Sequence, residues 1–250
     1  MGKIITYLNY FYQYFKHGDI ISLWSSVTYV LSRKTHSKDR IITTDLGTFY
    51  VRGGTNDFQF ANPQYEIGIK NIIKDYNKKG FNVLLDVGSC IGELSVFGAK
   101  LGMEVHAFEP ITKNVEVIRK NAALNKTPFH IHHFGLGNKN EEIQFDFNSV
   151  NTGATHRSKN PENPVTGSVK RLDDVLVPQQ GQKVVLKIDA EGMEPEVLKG
   201  AQHFISQTND LILIMEDKFS GKNNLCEILN SLGNFESTRI DDFNIMAIKH

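Results

Sequence analysis

Four carboxylates in this 250-residue chain each close a short apolar run: Asp86 after VLL, Glu109 after VHAF, Asp189 after VVLKI and Glu216 after LILIM. An acid at a strand end suits three tasks: accepting hydrogen bonds from a ligand's hydroxyls, taking a proton from a reacting group, or binding a hard cation. A parallel sheet would gather all four on one edge, and that shared placement favours a site over four separate helix caps. The segment around Asp86 is the most specific. VLLDVGSCIGELSVFGAKLGMEVHAFEP reads as strand, glycine turn, helix, strand and acid. Gly88 and Gly92 bracket the turn, where glycine admits dihedrals closed to other residues and lets a ligand approach the backbone. The helix after the turn offers free N-terminal amides, and Glu109 stands where an acid accepts both hydroxyls of a ribose.

Two nucleotide ligands compete for such a pocket. The dinucleotide fingerprint needs three glycines, whereas this chain has Gly88, Cys90 and Glu93 at those positions. A pyrophosphate crossing the turn would meet the Cys90 side chain and the charge of Glu93. S-adenosylmethionine has a ribose for Glu109, no phosphate, and ammonium and sulfonium charges that suit Asp86 and Glu93.

The elements that must position these residues follow in order. Two helices occupy the aromatic-rich start, RIITTDLGTFYVRGG reads as a β-hairpin turning at 45–47, and a helix covers about 63–79. PITKNVEVIRKNAALN is the second crossover helix, with Thr112 as its cap. FHIHHF is a third strand and GLGNKNEEIQFDFN a turn and an alternating strand, whereas NTGATHRSKNPENPVTGSV is polar and reads as a loop bordering the pocket. Strands alternating with helices, closed by the antiparallel pair FESTRI and FNIMAIKH, predict a doubly wound α/β sheet with its ligand beyond the strands' carboxyl ends. The predicted division is an N-terminal helical extension and β-hairpin over 1–80, followed by a Rossmann-like domain over 81–250.

Composition narrows the surroundings. Lys plus Arg equals Asp plus Glu, 28 against 28, so nothing in the balance argues for a grip on nucleic acid. Cys90 and Cys226 are too few for a disulfide framework and lack metal-ligand spacing, which suits the cytoplasm. No apolar run approaches the roughly 20 residues that cross a bilayer. The aromatic start, with the chain's one tryptophan, Trp24, is expected to pack on its own domain. Contact with a partner or the inner membrane surface is the alternative.

At this point the chain resembles the FkbM-type family of S-adenosylmethionine-dependent methyltransferases. LDVGSCIGELS resembles its cofactor loop, AFEPITKNVEVIRKNAALN its ribose-acid segment, GLGNKNEEIQF its third-strand region and VVLKIDAEGMEPEVLKGA its most distinctive signature, so that the match covers about 41–217. VRGGTNDFQF resembles a segment upstream of the cofactor site. Cys90 stands where Asn or Gly is usual, and Ala190 where Val is common. The resemblance implies a class I methyltransferase sheet in which Asp86, Gly88, Ser89 and Gly92 line the cofactor's methionine side. It further implies that Glu109 holds the ribose, that Asn138 approaches adenine, and that Asp189 and Glu191 face the methyl group or substrate. By resemblance, the acceptor is a hydroxyl on a sugar of a glycan, glycolipid or related metabolite. Other acceptors (lipid, small metabolite, RNA) and a non-catalytic adenosyl-ligand binding subunit are the rival readings.

A hydroxyl acceptor must lose its proton, so a carboxylate or histidine within hydrogen-bond reach is required. Asp189 or Glu191 is the expected base, with His156 of the polar stretch beside them. Divalent metal ligation by Asp189, Glu191, Glu194 and Glu216 is the competing arrangement, which the spacing does not force. His130, His132 and His133 read as structural or surface histidines, with His133 opposite the other two. Arg52, Thr55 and Asp57 are candidates for substrate or cofactor contact, weighed evenly against a role in turns.

Overall fold

A computed structural model describes residues 2–158, 160 and 162–250. Helices α1 (Gly2–Lys16) and α2 (Ile20–Ser32) lead into a hairpin of β1 (Arg40–Thr43) and β2 (Thr48–Val51), then α3 (Asp57–Phe60) and α4 (Ile67–Lys78). The central run is β3 (Val83–Val87), α5 (Glu93–Lys100), β4 (Glu104–Phe108), α6 (Thr112–Asn125) and β5 (His130–His132). Four short strands follow: β6 (Gly135–Leu136), β7 (Glu141–Asp146), β8 (His156–Arg157) and β9 (Pro164–Lys170). The chain closes with β10 (Lys183–Ile188), α7 (Glu194–Gly200), α8 (Gln202–Gln207), β11 (Asp210–Glu216), α9 (Lys222–Leu232), β12 (Phe235–Arg239) and β13 (Asn244–Lys249).

The main sheet runs β12-β13-β11-β10-β3-β4-β5. Its strands are parallel except β13, which is antiparallel to both neighbours. From β3 the chain winds outward to β5, then returns to the other side of β3 as β10. The order therefore reverses between β3 and β10, opening a crevice at their carboxyl ends. Every residue of VLLDV is buried, because both faces of the sheet are covered and neither needs polar alternation. Leu85, Leu186 and Leu213 share one core with Val197, Phe204 and Leu225 of the C-terminal helices. On the opposite face Leu84, Val185 and Ile212 pack with Ile69, Ile73 and Leu94. This alternation of successive residues between two cores fixes the register, so that Asp86 lies beside Lys187 and Val87 beside Ile188.

The polar stretch after Asn151 is a loop only in part. It supplies β8 and β9 to a second sheet of order β6-β9-β7-β8, in which β9 pairs antiparallel with β7 over six residues. Ile143 and Phe145 face a small core with Ile111, Phe147, Val169 and Met193. Only Val165, Gly167 and Val169 of β9 turn inward while the alternate side chains meet water, which hides the strand in a polar composition. Lys159 and Pro161 of this stretch lie outside the described residues. Thr112 begins α6 without capping it: Ile111 is the N-cap, and the Thr112 hydroxyl bonds His133 Nε2 at 3.1 Å. The β1–β2 hairpin docks on α5 and α6, where Phe49 and Val51 share a core with Ile91, Val96 and Val117.

Candidate active site

A cavity of about 960 Å³ opens at the crevice between β3 and β10. Gly88, Ser89 and Cys90 of the glycine turn line it, whereas Gly92 lies outside the lining and packs against Ile118. Gly88 has φ +84°, and a Cβ there would sit 1.8 Å from the carbonyl oxygen of Asp189, so the turns after β3 and β10 touch only because this residue has no side chain. The Ser89 hydroxyl donates to the Asp86 carbonyl at 2.7 Å, and the Gly92 amide to the Ser89 carbonyl at 2.6 Å. Both oxygens of Glu109 receive backbone amides, Oε2 from Cys90 at 3.0 Å and Oε1 from Ile111 at 2.9 Å. Burial nevertheless pushes the Glu109 pKa up to about 7 against those bonds. Each oxygen keeps a lone pair for a ligand hydroxyl.

Asp86 is buried beside this turn. Its Oδ2 accepts from the Ser95 hydroxyl at 2.6 Å, whereas Oδ1 is buried with no partner among the described residues. Burial raises the Asp86 pKa, and Lys187 opposes the shift. Burial also works against the Lys187 ammonium, but Asp189, Glu66 and Asp86 around it hold its pKa well above normal.

At the other end, one oxygen each of Asp189, Glu191 and Glu216 lies within 4.8 Å of the others. Lys187 Nζ donates to Asp189 Oδ2 at 3.0 Å. The Glu191 pKa is pushed up to about 7 by burial and by Asp189. The Glu216 pKa is pushed to about 8 by burial, Asp189 and Glu191, and its Oε2 has no partner among the described residues. Glu191 takes a left-handed φ of 47°, which a glutamate adopts at some cost in energy. Cys90 and Glu66, at 48° and 47°, share this conformation, and all three line the cavity. Strain of this kind concentrates where geometry is set for a ligand.

Glu194 leaves the proposed ligand set. Its Oε1 accepts from the amides of Ala190 and Gly192, both at 3.0 Å, and Oε2 from the Ser220 hydroxyl. This clamp shapes the turn that presents Glu191. Asn138 does not approach the cavity, because the chain turns away after β6 and packs against α7, where a Cβ on Gly200 would lie 3.3 Å from the Asn138 Cα. His156 is exposed on β8, its ring bonded to the Ala154 carbonyl at 3.4 Å, and it too lies outside the cavity lining. Strand formation by the polar stretch turns His156 to solvent, while Asn151, Thr152, Gly153 and Thr155 line the wall.

Arg52 and Asp57 form a strut outside the lining. Arg52 Nε and Nη2 donate to the Asp57 carboxylate at 2.7 and 2.9 Å, and Nη1 to Asn114 at 2.8 Å. Asp57 also accepts from the Thr152 hydroxyl at 2.8 Å, tying the hairpin to the cavity wall. The Thr55 hydroxyl donates to the Arg52 carbonyl and belongs to the turn. The histidines stack away from the cavity. His132 lies against Phe108 and bonds His106 at 3.0 Å, and burial with His106 pushes its pKa down to about 4. Sequence reasoning missed Glu66 and the buried Lys70; a lysine beside Ile69 on the apolar face of α4 was the available signal.

Charge sets the character of the cavity: nine carboxyl side chains line it against two lysines, Lys187 and Lys218, among the described residues. Such a lining repels phosphates and favours a cationic ligand.

Comparison with known proteins agrees with this architecture. Among curated proteins no sequence matches the chain. The T. thermophilus 16S rRNA N2 G1207 methyltransferase, solved with AdoMet and guanosine, is 15% identical at a TM-score of 0.50, covering 86% of this chain and 51% of its own. The ribosomal protein L11 methylase of Lactobacillus delbrueckii subsp. bulgaricus is 17% identical at a TM-score of 0.46, covering 72% of this chain and 77% of its own. At this identity the T. thermophilus enzyme speaks to fold alone, the Rossmann-like class I methyltransferase fold. The model of the methyltransferase FkbM domain matches residues 86–241. The chain therefore belongs to the FkbM-domain family of S-adenosylmethionine-dependent methyltransferases.

Proposed function

We propose that the chain methylates a hydroxyl on a sugar of a glycan or glycolipid, with Glu191 as the base. The observation that carries this reading is the pairing, within one acidic cavity, of an amide-fixed Glu109 with the crowded carboxylates Asp189, Glu191 and Glu216.

The residues fit S-adenosylmethionine. Glu109 offers two fixed acceptors to a ribose, the orphaned Asp86 Oδ1 offers a buried acceptor to an ammonium, and the excess of acids suits a sulfonium. When bound, the cofactor supplies a methyl group activated on sulfur.

The remaining chemistry falls to the chain. Glu191, with its pKa near 7, is partly ionised at neutral pH and able to take a hydroxyl proton, which is the match a general base needs. Asp189 is held by Lys187 and orients the acceptor beside it. The charge of Asp189 beside Glu191, added to burial, raises its proton affinity. Asn56, bonded to Asn151 at 2.9 Å, and Asp57, bonded to Thr152, hold the wall that excludes water. Asn151, Asp242 and Asn244 line the cavity with groups that bond hydroxyls. A sugar in particular rests on the family resemblance, and the acidic lining argues against RNA.

The test is formation of S-adenosylhomocysteine with a panel of neutral glycans and glycolipids. Turnover with a member of the panel supports the proposal. Tight cofactor binding without turnover on any acceptor would make the chain a binding subunit, and transfer to RNA would overturn the acceptor class.

A further inference from the structure

Helix α2 is built inside out. Its buried stripe is Ser22, Ser25 and Tyr29, with the two serines 0% and 3% exposed, while Trp24 and Leu31 are 66% and 80% exposed. The outward residues Ile20, Trp24, Val27 and Leu31 recur at the spacing of one helical face, and Val30 adds to the exposed apolar surface. In α1, Leu8, Tyr12 and Phe15 repeat the pattern, with Phe15 79% exposed. A helix that only covered its own domain would turn these faces inward, and exposed apolar surface on this scale marks an interaction site.

Charge identifies the occupant. The first forty residues carry six Lys and Arg against two Asp, although the whole chain is balanced. Lys16 is paired with Asp45 and Arg40 with Asp19. Arg33, Lys34 and Lys38 follow the C-terminus of α2, next to Val30 and Leu31, and no acid among the described residues pairs with them. Asp39 beside them is engaged by the Gly53 amide and the Tyr50 hydroxyl. An apolar stripe with tryptophan and tyrosine, next to cations that no described acid neutralises, complements an anionic bilayer, whose headgroups attract Lys and Arg while its acyl boundary takes the aromatic rings. The 13 residues of α2 extend only about 20 Å, short of the roughly 30 Å hydrocarbon core, and no described helix is long and apolar enough to cross a membrane. The geometry fits a helix lying on the surface.

We infer that the α1–α2 hairpin docks the chain on an anionic lipid bilayer through this stripe and the Arg33, Lys34, Lys38 cluster. Tyr10 and Tyr29 of the same helices line the cavity, so docking sets the cavity beside the lipid surface. The docking does not rest on the acceptor proposed above.

Flotation of the full chain with phosphatidylcholine vesicles, with and without phosphatidylglycerol, tests it. The chain is expected to float with the anionic vesicles. A Trp24→Glu/Leu31→Glu variant should lose roughly tenfold or more in vesicle affinity while keeping its S-adenosylmethionine affinity, which reports that it is folded. A Lys34→Glu/Lys38→Glu variant should lose the preference for phosphatidylglycerol by about tenfold. Absence of wild-type flotation with anionic vesicles overturns the inference, as does equal binding to both vesicle types. A chain that fails to float and forms a dimer broken by Trp24→Glu/Leu31→Glu would assign the face to self-association instead.

Discussion

The two ends of the cavity use carboxylates in opposite ways. At the β3–β4 end, Glu109 is buried but both its oxygens are fixed by backbone amides, so its direction is set before any ligand arrives. At the β10–β11 end, Asp189, Glu191 and Glu216 crowd one another, Glu216 Oε2 lacks a partner among the described residues, and Glu191 sits in a left-handed turn. The first arrangement suits holding, since a preorganised acceptor needs no rearrangement on binding. The second suits proton transfer, since burial and the neighbouring carboxylates together lift Glu191 and Glu216 toward neutral pH.

The sharpest way to separate the ends is by substitution. Glu191→Gln should lower turnover by about 10²–10⁴-fold with cofactor affinity nearly unchanged, measured by product formation and calorimetry. Glu109→Gln should do the reverse. Its amide nitrogen would face the N–H of Cys90 or Ile111, and cofactor affinity should fall by about 2–3 kcal/mol. Equal loss of affinity in both variants would erase the distinction.

Gly88→Ala attacks the contact between the ends. Its methyl group would lie 1.8 Å from the Asp189 carbonyl in a φ of +84°, so unfolding stability should drop by about 2–4 kcal/mol in denaturant titration.

A pH series separates the cavity from the histidine stack. Glu109, Glu191 and Glu216 have folded pKa values of about 7, 7 and 8, above their ordinary 4.5, so the folded chain holds protons that the unfolded chain releases. Their contribution is full below about pH 4.5 and is lost as pH rises through 7 to 8. His132, depressed to about 4, acts oppositely and loses its contribution as pH falls from about 6.5 to 4. Between pH 6.5 and 8 only the acids act, and ligand-free stability should decline by about 1–2 kcal/mol after allowance for their partial exposure. Glu191→Gln/Glu216→Gln should lessen that decline, leaving the part carried by Glu109. The smallest effects belong to Asn138→Ala and His156→Ala, which should shift cofactor affinity by less than about 0.5 kcal/mol because neither side chain lines the cavity.

Much of this arrangement is legible in the residues. VLLDV, VHAF, VVLKI and LILIM announce buried parallel strands by apolar continuity, and the acids that follow them meet at one edge because the strands are parallel. Glu109 and Gly88 are readable because their chemistry is local to a strand end and a tight turn. What escapes detection depends on partners distant in sequence. Glu194 becomes a clamp only once the 190–192 turn folds back on it, β9 is a strand only because β7 lies alongside, and His156 is turned to solvent where β8 pairs with the other edge of β7. The inverted face of α2 was hidden for a related reason: periodicity shows that a helix has two faces and not which of them meets the protein.

The division of labour is tested most directly by proton release on cofactor binding, measured at pH 7 by calorimetry in buffers of different ionisation heat. S-adenosylmethionine should release roughly half a proton or more from the raised carboxylates, because a sulfonium beside them favours their ionised form. S-adenosylhomocysteine, which lacks that charge, should release clearly less, and Glu191→Gln/Glu216→Gln should abolish the difference. Equal release by both ligands in the wild-type chain would contradict the placement of Glu191 and Glu216 beside the methyl donor.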